Sequence, residues 1–320
     1  MINIFLHRCR KPDCSAVENT GTAGLVGSWY IGHNFFPMNT NSKSILLVTN
    51  GTEENLPALE YGVWLVGILK MPVILLGISE RRQMTNAVTD ALQMTQSRLN
   101  KLGIPNEMRL EQGEVCQVIF RLADPRKNLV IVGPSGRPHW VRWLRGRRYR
   151  YILRDINTPL IYVPAAQNQI KNILVCMGGL GYARSVEQWA IYLARHTAAS
   201  LTILHIVEKI YYEYPTAIQI QSHGKEILTT DTPQAHNLRQ ALQSAQEAGV
   251  PAGIKLRHGD IVYEILAEIQ DGQYDLIAMG TQASAHSLRR LFTPNVTAEV
   301  AEAISLPVLT AHAGQELIFE

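Results

Sequence analysis

The sequence predicts an α/β protein of two tandem three-layer α/β/α domains, each built on a parallel five-stranded sheet. Three observations predict it. Residues 43–163 run strand, glycine turn, helix, strand, helix and then the buried run NLVIVGPSGRP, and the same order restarts at Lys171 and passes through DLIAMGTQA. Short segments such as 129–132 (LVIV) and 276–279 (LIAM) are apolar throughout, as strands covered on both faces must be. Strands that alternate with helices at this spacing pair in parallel through right-handed crossovers.

Each element follows in order. Residues 1–42 mix Gly, Asn, Pro and isolated aromatics without periodicity and lack the compact apolar run of a signal peptide. They read as a disordered extension, or as the product of an upstream start with Met38 as the true beginning. The first domain, 43–165, opens with strand 45–49 and the turn Asn50-Gly51. Residues 61–78 are the most apolar stretch, but Lys70-Met71-Pro72 cut it where a helix hands over to a strand. That predicts a helix packed on both sides, or covered by a partner, followed by strand 73–78, and no membrane span. A second helix ends at Gly103-Ile104-Pro105, Gly113-Glu114 leads into a third, and strand 129–132 follows. Gly133-Pro134-Ser135-Gly136 comes next, then a short helix from Gly146 to Arg154 and a closing strand at 159–163.

The second domain, 170–313, repeats this with strand 173–177, Gly178-Gly179, a helix and strand 201–207. Gly249-Val250-Pro251, Gly259-Asp260, strand 276–279 and a closing strand at 307–310 complete it. Laid over each other, 45–51 falls on 173–179 and 73–78 on 202–207, and the offset grows from 128 to 146 by Gly259. Most of the difference is an insertion at 210–232 carrying Tyr211, Tyr212 and Tyr214, read as an irregular loop or lid.

A chain of 320 residues has the length of two ordinary domains, each able to bury a core. Its net charge of +3 hides a split: residues 1–165 carry 20 basic against 12 acidic side chains, and residues 166–320 carry 10 against 15. Either the unlike halves or neighbouring chains attract, or only the first half meets an anion. The four cysteines form no CxxC pair, which points to a reducing, cytoplasmic compartment and to no metal site.

In open parallel sheets the ligand crevice lies at the carboxyl ends of the strands, where strand order reverses. The loops after Thr49, Ile78 and Val132 therefore frame the candidate site. Gly133 and Gly136 directly follow a buried strand, and after nine intervening residues Gly146 opens a helix. Glycines let backbone amides approach a phosphate, and a helix start adds unpaired N–H groups. The competing reading is a tight turn between strand and helix.

This loop, together with the turn Val48-Thr49-Asn50-Gly51-Thr52, the lead-ins Gly113-Glu114 and Gly259-Asp260, and the two closing strands, resembles the universal stress protein (UspA) family. The resemblance spans nearly all of 43–312 and implies two tandem Rossmann-like domains of the adenine nucleotide alpha hydrolase-like kind. It implies ATP with magnesium, or no cofactor at all, since the family contains members of both kinds. The implied nucleotide-binding residues are Thr49, Asn50, Thr52, Ile78, Val132, Gly133, Gly136, Gly146, Arg147 and Arg148. Asn50 stands where nucleotide-binding members carry an acid, and Arg147 where they carry Ser or Thr. In the second copy Gly178 takes the acid's slot and Thr293-Pro294-Asn295 replaces the last glycine and its hydroxyl, which implies a degenerate site.

Seven arginines (137, 142, 145, 147, 148, 150 and 154) are interleaved with Trp140, Trp143, Tyr149 and Tyr151. Arg147 and Arg148 either substitute bidentately for the missing hydroxyl or fill the phosphate pocket and pair with an acid of the second domain. The run also fits a single-stranded nucleic acid, disfavoured because it occupies one loop and one helix rather than a groove. His205 inside a strand reads as a satisfied core histidine, and His139 and His258 as loop residues. No catalytic residues are indicated. Slow ATP hydrolysis would need an acid near the phosphates, for which Glu53 and Glu54 are nearest. The reading is a non-enzymatic stress-response sensor or adaptor that binds an adenine nucleotide in its first domain. The alternative is an interaction scaffold that pairs through its arginine loop and edge strands with an unknown protein partner. The closing strands 159–163 and 307–310 are the expected pairing edges, within one chain or in a homodimer.

Overall fold

The computed structural model describes residues 43–79, 86–134, 156, 158–178, 184–207, 230–281, 296–312 and 315. The extension at 1–42, the arginine run, nearly all of the tyrosine-bearing insertion and the segment holding Thr293-Pro294-Asn295 lie outside the described residues.

Ten strands form one sheet. They are β1 (Ser44–Thr49), β2 (Val73–Ser79), β3 (Asn106–Gln112), β4 (Asn128–Val132), β5 (Leu160–Tyr162), β6 (Asn172–Cys176), β7 (Ser200–Val207), β8 (Ala252–His258), β9 (Leu276–Thr281) and β10 (Val308–His312). Their order is β3-β2-β1-β4-β5-β10-β9-β6-β7-β8, so both halves use the same internal order and meet at β5 and β10. Neighbours within each half are parallel. The central pair alone is antiparallel, with Leu160 opposite Thr310, Ile161 opposite Leu309 and Tyr162 opposite Val308. The two predicted edges thus pair inside one chain.

Seven described helices cover the sheet. They are α1 (Leu56–Leu69), α2 (Asn86–Lys101), α3 (Val115–Leu122), α4 (Arg184–Thr197), α5 (Pro233–Glu247), α6 (Ile261–Asp271) and α7 (Val296–Ala303). Alternation along β1 sends Ile45 and Leu47 to one face and Leu46 and Val48 to the other. The first face is a single core that runs through both halves beneath α1, α2, α4 and α5. On the second face α3 packs over the first half and α6 over the second, while Ala298 and Ala301 of α7 join Leu160 and Tyr162 across the seam.

Local chemistry accounts for the elements. The apolar helix α1 buries Ala58, Leu59, Tyr61, Val63, Leu65, Val66 and Leu69, so its composition reflects packing on most sides. It ends at Lys70, which adopts a left-handed conformation (φ 54°), before Pro72 hands over to β2. Asp260 caps α6 by accepting the Tyr263 N–H at 3.0 Å, whereas Glu114 at the matching start of α3 makes no side-chain cap. No helix among the described residues is long and apolar enough to cross a membrane.

The structure corrects the overlay of the copies. Ile45 pairs with Val73 and Ile173 with Leu201, so residues 73–78 correspond to 201–206, one position earlier than the sequence overlay. The slip matters because one residue exchanges the two faces of a strand. It makes His205 the counterpart of Gly77.

Besides the strand pairing and the shared core, alanines of α7 pack under β5 and the His312 ring nitrogen Nε2 lies 2.9 Å from the Ile156 carbonyl, joining the halves. The segment that leads into the second half is tied to Asp275. The Asp275 carboxylate accepts from the backbone N–H groups of Lys171 (2.8 Å) and Asn172 (3.0 Å), and from the amides of Gln167 (3.2 Å) and Gln169 (3.3 Å). Apolar side chains and hydrogen bonds cross the seam.

Candidate functional site

The strand order reverses between β1 and β4, where α1 departs on one side and the loop after β4 on the other. Leu47 pairs with Ile131, and continuing that register sets Thr49 opposite Gly133. On the other side Thr49 pairs with Gly77, which places Asn50 next to Ile78. The carboxyl ends of these three strands therefore bring Thr49, Asn50, Ile78, Val132 and Gly133 together, as the sequence predicts.

The turn after β1 is held by its own side chains. The buried Thr49 hydroxyl accepts the Gly51 N–H at 3.1 Å, and the Asn50 amide oxygen accepts both the backbone N–H (3.2 Å) and the hydroxyl (2.9 Å) of Thr52. Asn50 thereby makes an Asx turn that shapes the loop, an amide filling the position at which an acid is expected. Gly51 takes φ 75°, and a Cβ there would meet the backbone of Ala87 and Val88 at 2.5–2.7 Å, so this turn butts against the start of α2.

Ile78 and Val132 turn their side chains into the core under α3, with Val48 and Ile119. They can offer the crevice only backbone. Gly133 is demanded by packing: a Cβ there would lie 2.8 Å from the Cβ of Ala58 and 3.1 Å from the Asn55 amide nitrogen. The loop after β4 thus rests directly on the first turn of α1. Gly136, Gly146, Arg147 and Arg148 lie outside the described residues.

Asn55 escapes the sequence reading. It closes the short 3₁₀ turn Glu53–Asn55 ahead of α1, is 2 % exposed, and donates from Nδ2 to the Pro134 carbonyl at 3.4 Å. Its Oδ1 is buried without a hydrogen-bond partner. A polar residue at a helix start ordinarily faces water, and its burial here comes from a loop 79 residues away, so no local signal announces it.

The second half builds the same corner differently. Met177 replaces Thr49 and Gly178 replaces Asn50, while His205 stands in the place of Gly77. The buried His205 ring nitrogen Nδ1 lies 2.9 Å from the Met177 carbonyl, so this histidine is the satisfied core residue the sequence predicts. Deeper in this half a buried carboxylate, Glu268, is gripped by Lys255 (2.8 Å), Arg257 (2.8 Å) and the Tyr274 hydroxyl (2.6 Å). Burial alone would raise its pKa, but those hydrogen bonds outweigh the burial and hold it below the usual carboxylate range. Burial, with Glu268 nearby, pushes the Cys176 thiol up to about 12, which leaves it protonated and inert.

A doubly wound α/β chain, duplicated and fused edge to edge into one sheet, is the class these features define. Within that class, residues 169–312, in the second half, match the family model of the universal stress protein family. A universal stress protein from Archaeoglobus fulgidus DSM 4304 superposes with a TM-score of 0.60 at 17% identity, over 85% of this chain and 96% of that one. A functionally unknown protein from Pseudomonas aeruginosa PAO1 gives a TM-score of 0.62 at 17% identity, over 85% and 93%. These likenesses extend across both halves and establish the fold. A universal stress protein in complex with cAMP aligns over 45% of this chain and 98% of that one, with a TM-score of 0.33 at 20% identity. No curated protein sequence matches the chain.

Proposed function

We propose that the chain is a cytoplasmic stress-response sensor or adaptor whose first half binds an adenine nucleotide, ATP with magnesium being the leading ligand, without efficient turnover. The observation that carries this reading is the asymmetry of the two crevices. The first keeps a polar turn of Thr49, Asn50 and Thr52 facing the glycine loop at Gly133, whereas the second has Met177, Gly178 and an inward histidine at the same corner. A site for a polar ligand is thus supported once per chain. Among the sequence-predicted contacts, Gly136, Gly146, Arg147 and Arg148 complete the proposed phosphate end, while Thr49, Asn50 and Thr52 border the nucleoside end. Binding would act by favouring the arrangement of loop and halves that holds the nucleotide, with no chemistry required.

The direct test is to denature the purified protein and identify released small molecules by mass spectrometry, comparing wild type with Gly146→Ala. An adenine nucleotide present in wild type and missing from the variant supports the reading. A protein that stays empty after incubation with ATP and magnesium refutes it. That outcome would favour the alternative, an interaction scaffold that pairs through its arginine loop and edge strands, of which β5 and β10 are already paired with each other within the chain.

A further inference from the structure

We propose that the aromatic segment Trp29–Phe36 docks in the outer groove between α1 and α2, as a strap over the first half. Glu60, Trp64 and Gly67 lie along the outer stripe of α1, and Met94, Arg98 and Leu102 follow one another along that of α2. Arg98 reaches Glu60 at 3.9 Å across the groove. A Cβ on Gly67 would come no closer than 3.8 Å to Leu102, so the glycine leaves a depression between the helices. Met94 is 59 % and Leu102 45 % exposed, and Trp64 is half-buried. Apolar groups gathered in this way at a helix junction mark a surface that another segment covers.

The second half supplies an internal comparison. Helices α1 and α4 have 14 residues each, and the stripe of α4 that matches Glu60, Trp64 and Gly67 reads Gln188, Tyr192 and Arg195. The turns Gly103-Ile104 and Gly249-Val250 close α2 and α5 with the same pair of backbone hydrogen bonds, which sets Gln240 and Ala248 in the places of Met94 and Leu102. The half entered through the linker thus shows water a polar stripe, as a surface helix does. The half entered from residues 1–42 shows an apolar one.

The extension also enters at the right end. The Ile45 N–H donates to the Pro72 carbonyl, just past α1, and the Val73 N–H donates to the Pro105 carbonyl, just past α2. The chain therefore comes into β1 beside the ends of both helices, where Leu102 sits. The stretch from Phe36 to Lys43 can reach about 24 Å, and the groove runs about 12 Å from Leu102 to Met94. Residues 29–36 read WYIGHNFF, large apolar and aromatic side chains with no acid, lysine or arginine among them. A separate chain must find the groove at its own concentration, whereas a segment tethered this closely meets it at an effective concentration on the order of millimolar.

The test replaces Phe36 of the full chain by the photoreactive p-benzoylphenylalanine, irradiates dilute protein and maps the crosslinked peptides. The expected adduct joins position 36 to peptides from 60–72 or 94–105 of the same chain, at a yield independent of protein concentration. Leu102→Glu, a charge placed at an exposed position that the fold tolerates, should cut this yield roughly tenfold, because the docked segment would have to cover the carboxylate. If Leu102→Glu does not fold, Met94→Glu takes its place. Failure to crosslink to either helix, or a yield that the glutamate leaves unchanged, overturns the proposal. An adduct that joins two chains and grows with concentration overturns it as well, and gives the groove to a second copy.

Discussion

At Gly133 the absence of a Cβ is what lets the loop after β4 settle on α1, since the added atom would stand 2.8 Å from the Cβ of Ala58. Gly133→Ala should therefore lower stability by about 1–3 kcal/mol in denaturant unfolding, as overpacking does. Adding Ala58→Gly should recover part of the loss, which a merely flexible glycine turn would not show. Glu187 offers a second test. Burial pushes this α4 carboxyl up to about 7, against weaker lowering by Ser244 and Arg184. The folded chain holds a proton that the unfolded chain releases above pH 4.5, so stability falls as pH rises from about 4.5 to 7. Glu187→Gln should remove a loss on the order of 3 kcal/mol across that window, visible as a flatter plot of Tm against pH. Equal slopes in the two proteins would show that Glu187 is solvated. At this scale the sequence was half legible. Thr49 and Asn50 could be named because a strand-ending turn is a local pattern, whereas Asn55 and Glu187 owe their character to elements far away in the chain.

Among the elements, the central strands were legible and the rims were not. Runs such as ILLVT and NLVIV announce strands buried on both faces, but β3 (NEMRLEQ) and β8 (AGIKLRH) carry charges and are only half-buried. Edge strands are expected to look like this, since charge there discourages pairing with other chains. The register slip at β7 has a related cause. In SLTILHIV a shift of one residue still leaves apolar groups on both faces, so the pattern could not choose. The linker between halves is held by a single carboxylate, Asp275, which receives four hydrogen bonds. Asp275→Ala should leave the Lys171 and Asn172 N–H groups without an acceptor, at a cost of about 2–4 kcal/mol. Hydrogen exchange at 167–172 should rise before global unfolding does. A uniform rise across the sheet would mean that this anchor belongs to the global core instead of acting locally.

For the whole molecule, the seam predicts that the halves complement each other. Co-expressed as separate chains 43–165 and 166–315, they should purify as a 1:1 pair by native mass spectrometry, because β5 and β10 each present an unpaired edge when alone. Independent, non-associating monomers would contradict the seam. Apolar packing and backbone pairing cross the seam. Fusing two copies also changes what substitution can do. In a homodimer every change at a two-fold interface happens twice, and each residue near the axis must suit its own double. Here the equivalent positions have parted: Tyr61 packs beside Trp64 on α1 with tilted rings, while Trp189 and Tyr192 hold the matching places on α4 in swapped order, at 5.4 and 5.9 Å between rings. A chain that carries both copies can change one side of its axis at a time, so one crevice can hold methionine and histidine where the other holds a polar turn.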